Sequence, residues 1–159
     1  QFANGVRIDL TFNSIAFLRR VPLESATVIL MDKDGLFVGA APPSDADFWI
    51  KRPNAAEFRK HCNEFWWCTP YVAKSLVRGK PLHPLEILGE YVRNEYRTML
   101  SYLAGVRGNW ERVNLGKHST NVRQLLPPDA TCYYDALMSS YVPADGAQIL
   151  RALDMLRIW

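Results

Sequence analysis

Six side chains in one stretch of this chain combine stacking rings with positive charge. Lys60, Asn63, Trp67, Tyr71, Lys74 and Arg78 fall within roughly 80° of one another at 100° per residue, so a helix would carry them on a single face. A solvated face seldom holds both a Trp and a Tyr, which leaves two readings. Either the rings cover a neighbouring helix while the cations reach water, or the face is a cleft wall that stacks a ring and neutralises phosphates. Further along, Glu86, Glu90, Arg93 and Arg97 share a helical side. As an exposed charge ladder they would contribute only about 0.2–0.5 kcal/mol per pair. Glu95 falls instead among Leu88, Val92 and Met99, and a carboxylate on an apolar stripe needs a partner or a raised pKa. Either Glu90 or Glu95 could act as a general base. Asp9, midway along the polar side of an alternating segment, could ligate a metal if carboxylates stand on adjacent strands; the simpler reading is a pair with Arg7. His61, His83 and His118 show no metal or triad spacing, and Lys117 after Gly116 is a small basic loop feature.

The elements that must position these residues change character along the chain. Val6, Ile8, Leu10 and Phe12 alternate with Arg7, Asp9 and Thr11, the pattern of a half-buried strand. Ala26 to Met31 and Leu36 to Gly39 read as two further strands joined by Asp32-Lys33-Asp34-Gly35, and Ser14 to Arg20 as a short helix. Ala41-Pro42-Pro43-Ser44-Asp45 breaks regular structure and marks a domain boundary, giving residues 1–43 and 44–159. Beyond it the period becomes 3.6. Asn54 and Glu57 form a capping pattern for a helix to about Arg78, stopped by Gly79, with a kink or break expected at Pro70. A second helix is expected from about Pro84 to Ala104, ended by Gly105. Shorter helical signals cover Thr120 to Leu126, Ala130 to Tyr141 and Ala144 to Trp159. On the first long helix Phe58, Cys62, Phe65, Val72 and Leu76 form the stripe that should pack inward. The fold class is α+β, a small sheet region followed by a helical bundle.

Composition narrows the partners. With 48% hydrophobic and 22% charged residues, the chain of 159 residues is made to pack a core. A net charge of +3 gives no ground for a nucleic-acid or membrane-surface partner. Neither glycine-rich phosphate motif occurs in the sequence. Three cysteines with no metal spacing read as thiols of a reducing compartment; Cys62 and Cys68 stand about 120° apart on a helix and should not bridge. Without a long apolar run or a signal-peptide pattern, the expected location is cytoplasmic. The chain enters a strand pattern at once and stops within a helical one, as a piece cut from something longer would.

Several segments together resemble the aminoglycoside 6-adenylyltransferases, also called streptomycin adenylyltransferases. They are Arg7-Ile8-Asp9-Leu10-Thr11, Asp32-Lys33-Asp34, Pro42-Pro43-Ser44-Asp45, Ile50-Lys51-Arg52-Pro53, Cys62-Asn63-Glu64-Phe65-Trp66-Trp67-Cys68 with Val72-Ala73-Lys74, and, more loosely, Gly116-Lys117. The paired Trp within Asn-Glu-Phe-Trp-Trp-Cys is the most specific element. The resemblance implies a nucleotidyltransferase domain with a mixed β-sheet, its last part in residues 1–43, followed by a helical substrate-binding domain in 44–159. It implies AMP transfer from ATP, with Mg2+, to a streptomycin hydroxyl. Asp9 would then be catalytic and the third metal-binding carboxylate, while the Gly-Ser motif with its paired Asp-x-Asp that completes such a site does not occur in residues 1–43, where Asp32-Lys33-Asp34 follows no Gly-Ser. Lys74, with Arg78, would approach the triphosphate, and Glu90 would be the catalytic base. Asn63, Glu64, Trp67 and Glu95 would contact the substrate, whose guanidinium groups call for carboxylates. The sequence departs from the family beyond Lys117, where Ser119-Thr120-Asn121 replaces a second Gly-Lys. The chain alone is expected to be inactive and to bind neither ATP nor Mg2+ tightly. A non-catalytic helical binding module on the same scaffold is the alternative.

Overall fold

The computed structural model describes residues 3–141 and 146–157 and divides into two compact units, one up to Asp47 and one from Phe48 onward. Within the first, helix α1 (Ile15–Leu18) starts on Ser14, whose hydroxyl accepts the Phe17 amide at 3.2 Å. The Asp32 carboxylate closes the expected turn, accepting the amides of Leu36 and Phe37, each at 2.9 Å, and Gly35 supplies the required positive φ of 61°. Ser25 and Asp47 clasp the ends of the following loop. The Asp47 carboxylate accepts the Ser25 amide at 2.5 Å, and the Ser25 hydroxyl accepts the Asp47 amide at 3.0 Å.

The anticipated strands do not form here. Among the described residues no strand ladder occurs, and the segments 6–12, 26–31 and 36–39 run without one. Phe12 is 94% exposed, and Val6, Ile8 and Leu10 are exposed with it. The reason is physical: a strand is stable only when its amides and carbonyls meet a neighbour and its apolar face meets a core. These residues have the pattern of a strand without a partner to complete it.

The second unit is helical. Helix α2 (Ala55–Val77) opens with a full capping box: the Asn54 side chain accepts the amides of Ala56 and Glu57, and the Glu57 carboxylate accepts the Asn54 amide at 2.8 Å. It ends at Gly79, with φ of 67°. Pro70 does not break it. The buried residues Phe65, Cys68 and Val72 bracket the proline and anchor both halves to the same core, and the Thr69 hydroxyl donates to the Phe65 carbonyl at 2.6 Å. Of the expected inward stripe, Phe65 and Val72 are buried and Leu76 packs beside them, whereas Phe58 stays 45% exposed.

The second long helix is interrupted. Helix α3 (Leu82–Ile87) passes through a π turn at Leu88–Val92 into helix α4 (Arg93–Arg107). Leu88, Val92, Tyr96, Leu100 and Ala104 recur every fourth residue and form the deepest line of the core. Such a stripe drifts around an α-helix, and one loosely wound π turn rotates it back toward the core. The helix also outlasts the expected stop at Gly105. Trp110 folds back over that position, where a Cβ would lie 2.4 Å from the indole ring, so Gly105 is a packing glycine and the helix ends at Gly108 instead. Gly105→Ala should therefore lower stability by about 1–3 kcal/mol in urea unfolding, overpacking outweighing the better helix propensity.

Helices α5 (Val122–Leu125), α6 (Thr131–Ser139) and α7 (Gly146–Leu156) complete the bundle; α6 packs on α4 and α7, and α7 also on α2. The ends of the anticipated last helix, at Ala144 and Trp159, lie outside the described residues. A single antiparallel bridge between Trp49 and Asn114 ties the entry of this unit to the loop after α4, with the Ile50 amide donating to the Val113 carbonyl at 3.0 Å.

Candidate functional site

The aromatic and cationic face of α2 is open to solvent. Trp67 is 67% exposed, and Lys60, Asn63, Tyr71, Lys74 and Arg78 are wholly or partly exposed with it, so the rings do not cover a neighbouring helix. They pack on each other: the Trp67 and Tyr71 centroids are 6.3 Å apart, and the Lys74 ammonium lies 5.9 Å from the Tyr71 ring centre. Two hollows flank this row. Asn63, Glu64, Trp66 and Trp67 line one of about 530 Å³; Trp66, Trp67, Pro70, Tyr71 and Lys74 line another of about 260 Å³. The capping box and the buried stripe fix the helix, and the 3.6 period places the row. Rings, an amide, a carboxylate and an ammonium around shallow hollows suit a flat or ring-shaped polar ligand that presents hydroxyls and charge.

Glu64 also accepts the Cys68 thiol at 3.4 Å, and burial with that carboxylate pushes the thiol pKa up to about 11. The folded state thus holds this proton more tightly than the unfolded chain does. Its contribution is complete below the ordinary thiol pKa of 9.0 and fades as pH rises toward 11. Iodoacetamide at neutral pH should label exposed Cys132 first and Cys68 last, as peptide mapping by mass spectrometry would show.

Glu90 sits in the π turn, exposed, on a segment that packs against α2. The turn leaves its carbonyl to the Asn94 side chain, whose amide donates to it. Interruptions of this kind recur at functional sites. Glu90 lines neither of the two hollows, and neither does Arg78, which caps the C-terminus of α2.

The expected ladder of Glu86, Glu90, Arg93 and Arg97 does not exist as such. One extra residue in the π turn rotates the rest of the helix by about 100°, carrying Arg93 into the interior. Its guanidinium donates to the Ser140 hydroxyl at 3.0 Å and to the Ser140 carbonyl, and lies 4.6 Å from the Tyr141 ring centre. Glu95 has the partner its position demands. His61 Nδ1 is 2.6 Å from its carboxylate, joining α2 to α4, with both side chains mostly buried. Nothing in the histidine spacing points to this pair, although His61 falls on the apolar stripe beside Phe65, where a polar ring also needs a partner.

Asp9 lies in the other unit and is engaged by Arg7, whose Nε and Nη2 donate at 3.0 and 2.6 Å. Among the described residues no three His, Cys, Asp or Glu side chains gather as metal ligands. Two-metal phosphoryl transfer needs several carboxylates, so these residues do not by themselves fit Mg2+, and no step through a metal is assigned to them. No described helix is long and apolar enough to cross a membrane.

Comparison with known proteins identifies the family. A family profile described as streptomycin adenylyltransferase matches residues 1–157. The chain is 31% identical over 141 residues to an aminoglycoside 6-adenylyltransferase of Campylobacter jejuni, covering 88% of this chain and 48% of the relative. It is 32% identical over 127 residues to one of Staphylococcus aureus, covering 79% of this chain and 45% of the relative. The crystal structure of an aminoglycoside 6-adenyltransferase from Bacillus subtilis superimposes with a TM-score of 0.55 at 29% identity, covering 70% of this chain and 41% of that one. The chain thus spans about half the length of the curated relatives it matches. With the match running through both units, the chain belongs to the streptomycin adenylyltransferase family.

Proposed function

We propose that this chain forms the acceptor side of an ATP-dependent aminoglycoside adenylyltransferase of the cytoplasm, with a streptomycin-like molecule seated on the α2 face. The carrying observation is the exposed row of Asn63, Trp67, Tyr71 and Lys74 with Glu64 beside it. An exposed Trp packed at a tilt of 53° against an exposed Tyr is costly to leave in water and useful for stacking on a sugar ring. The Glu64 carboxylate suits a guanidinium group, with two parallel bonds available to the planar fork. Lys74, and Arg78 one turn on, would face the donor triphosphate.

In the transfer step the acceptor hydroxyl attacks the α-phosphorus of ATP. Glu90 takes the hydroxyl proton, the new P–O bond forms, and the bond to pyrophosphate breaks. Asp9 would join carboxylates supplied by a nucleotidyltransferase sheet, in which the exposed alternation of Val6, Ile8, Leu10 and Phe12 finds its neighbours. The chain alone is accordingly expected to transfer no AMP.

The test joins this chain to the N-terminal half of the Bacillus subtilis enzyme and follows transfer of labelled AMP to streptomycin. Transfer by the joined protein and none by the chain alone is the expected outcome. Absence of transfer to every aminoglycoside tried, with streptomycin binding retained, would favour a non-catalytic binding module.

A further inference from the structure

Behind the same helix lies a cavity of a different kind. It measures about 380 Å³, within the range of small-molecule pockets, and lies between α2 and α4. Phe65 and Tyr96 are its buried floor, and Phe58, Trp66, Tyr102 and Val106 rise around its open mouth. No charged side chain lines it. A polyhydroxylated, multiply charged aminoglycoside would bury polar groups there without partners, so this is not a second seat for that substrate.

The aromatic walls present π-faces, and two carboxylates stand near one of them, Tyr102. Tyr102 makes ring contacts with Phe58 at 6.3 Å, His61 at 5.9 Å and Trp110 at 6.2 Å between centroids. Glu57 and Glu95 lie within electrostatic reach of its hydroxyl; burial first, and these carboxylates after it, raise the Tyr102 pKa. Trp66 already holds one cation, the Arg157 guanidinium 5.6 Å from its ring centre. Several aromatic rings around an uncharged hollow, with carboxylates beyond the rings, is the arrangement that recognises quaternary ammonium groups.

We infer that the cavity between α2 and α4 binds a hydrophobic organic cation, its apolar body on Phe65 and Tyr96 and its ammonium among Phe58, Trp66 and Tyr102. The cavity shares Trp66 with the hollows of the acceptor face and is otherwise lined by different residues, and the inference stands whether or not the chain takes part in AMP transfer.

Calorimetric titration with 4-phenylbutyltrimethylammonium tests it, alongside the neutral isostere with carbon in place of nitrogen and 4-phenylbutanesulfonate. The cation should saturate with a Kd below about 1 mM and bind at least ~3-fold more tightly than either analogue. Val106→Trp, which fills the mouth, should weaken it at least ~10-fold, a loss of about 1.4 kcal/mol. If that variant misfolds, Trp66→Leu, at a half-exposed wall, should weaken the cation more than the neutral isostere. Equal affinity for the three probes, no saturation, unchanged binding by the correctly folded variants, or displacement by streptomycin would each overturn the assignment.

Discussion

Glu90→Gln in the joined, active enzyme should lower kcat at least ~100-fold while leaving the KM for streptomycin within a few-fold of the parent, the effect of removing a general base. The amide is the same size, so the π turn and the Asn94 bond to the Glu90 carbonyl should survive, and circular dichroism should be unchanged. The Glu90 carboxylate projects, exposed, from a π turn, a kind of interruption that recurs at functional sites. An unchanged kcat would return Glu90 to the solvated surface. A raised KM with unchanged kcat would make it a substrate contact and leave the base to be found elsewhere.

Arg93→Met should cost about 2–3 kcal/mol of unfolding free energy, measured in urea, and the effect should persist at high salt. As one rung of an exposed ladder it would cost about 0.2–0.5 kcal/mol and respond to salt. The difference comes from burial. Burial lowers the Arg93 pKa, yet the group is held by the Ser140 hydroxyl and carbonyl, and methionine would leave that carbonyl dry and unpaired. Methionine fills most of the volume, so little of the loss would be a cavity. Ser140→Ala should lose only part of this, because the carbonyl remains.

Much of the helical unit is legible in the sequence because its signals are local. The Asn54 and Glu57 box and Gly79 depend on a few neighbouring residues, and each acts as the pattern requires. The illegible features depend on contacts distant in sequence. Gly105 resembles a stop signal because nothing in its neighbourhood announces that Trp110 will fold back onto it. Arg93 falls on an exposed side only while a strict 3.6 period holds, and that period has no room for a π turn. The residues from Val6 to Phe12 carry a strand pattern, but pairing needs another strand, and pattern alone does not supply one.

The candidate site divides in the same way. One helix places Asn63, Trp67, Tyr71 and Lys74, so their common side is already present in the sequence, and the structure adds that the face is open and its two rings pack together. The need of Glu95 for a partner can be read from its apolar stripe; the partner cannot, because His61 comes from another helix. Asp9 and Arg7 stand two residues apart on the same side of the alternation, and their ion pair is present.

Titration of this chain with streptomycin, followed by calorimetry and repeated with Trp67→Ala and with Asn63→Ala, tests the acceptor-face assignment most directly. Saturable one-to-one binding is expected, weakened about 10-fold or more by Trp67→Ala through loss of ring stacking, and less by Asn63→Ala. Binding of equal strength in the folded Trp67→Ala chain, or no binding at millimolar streptomycin, would contradict it.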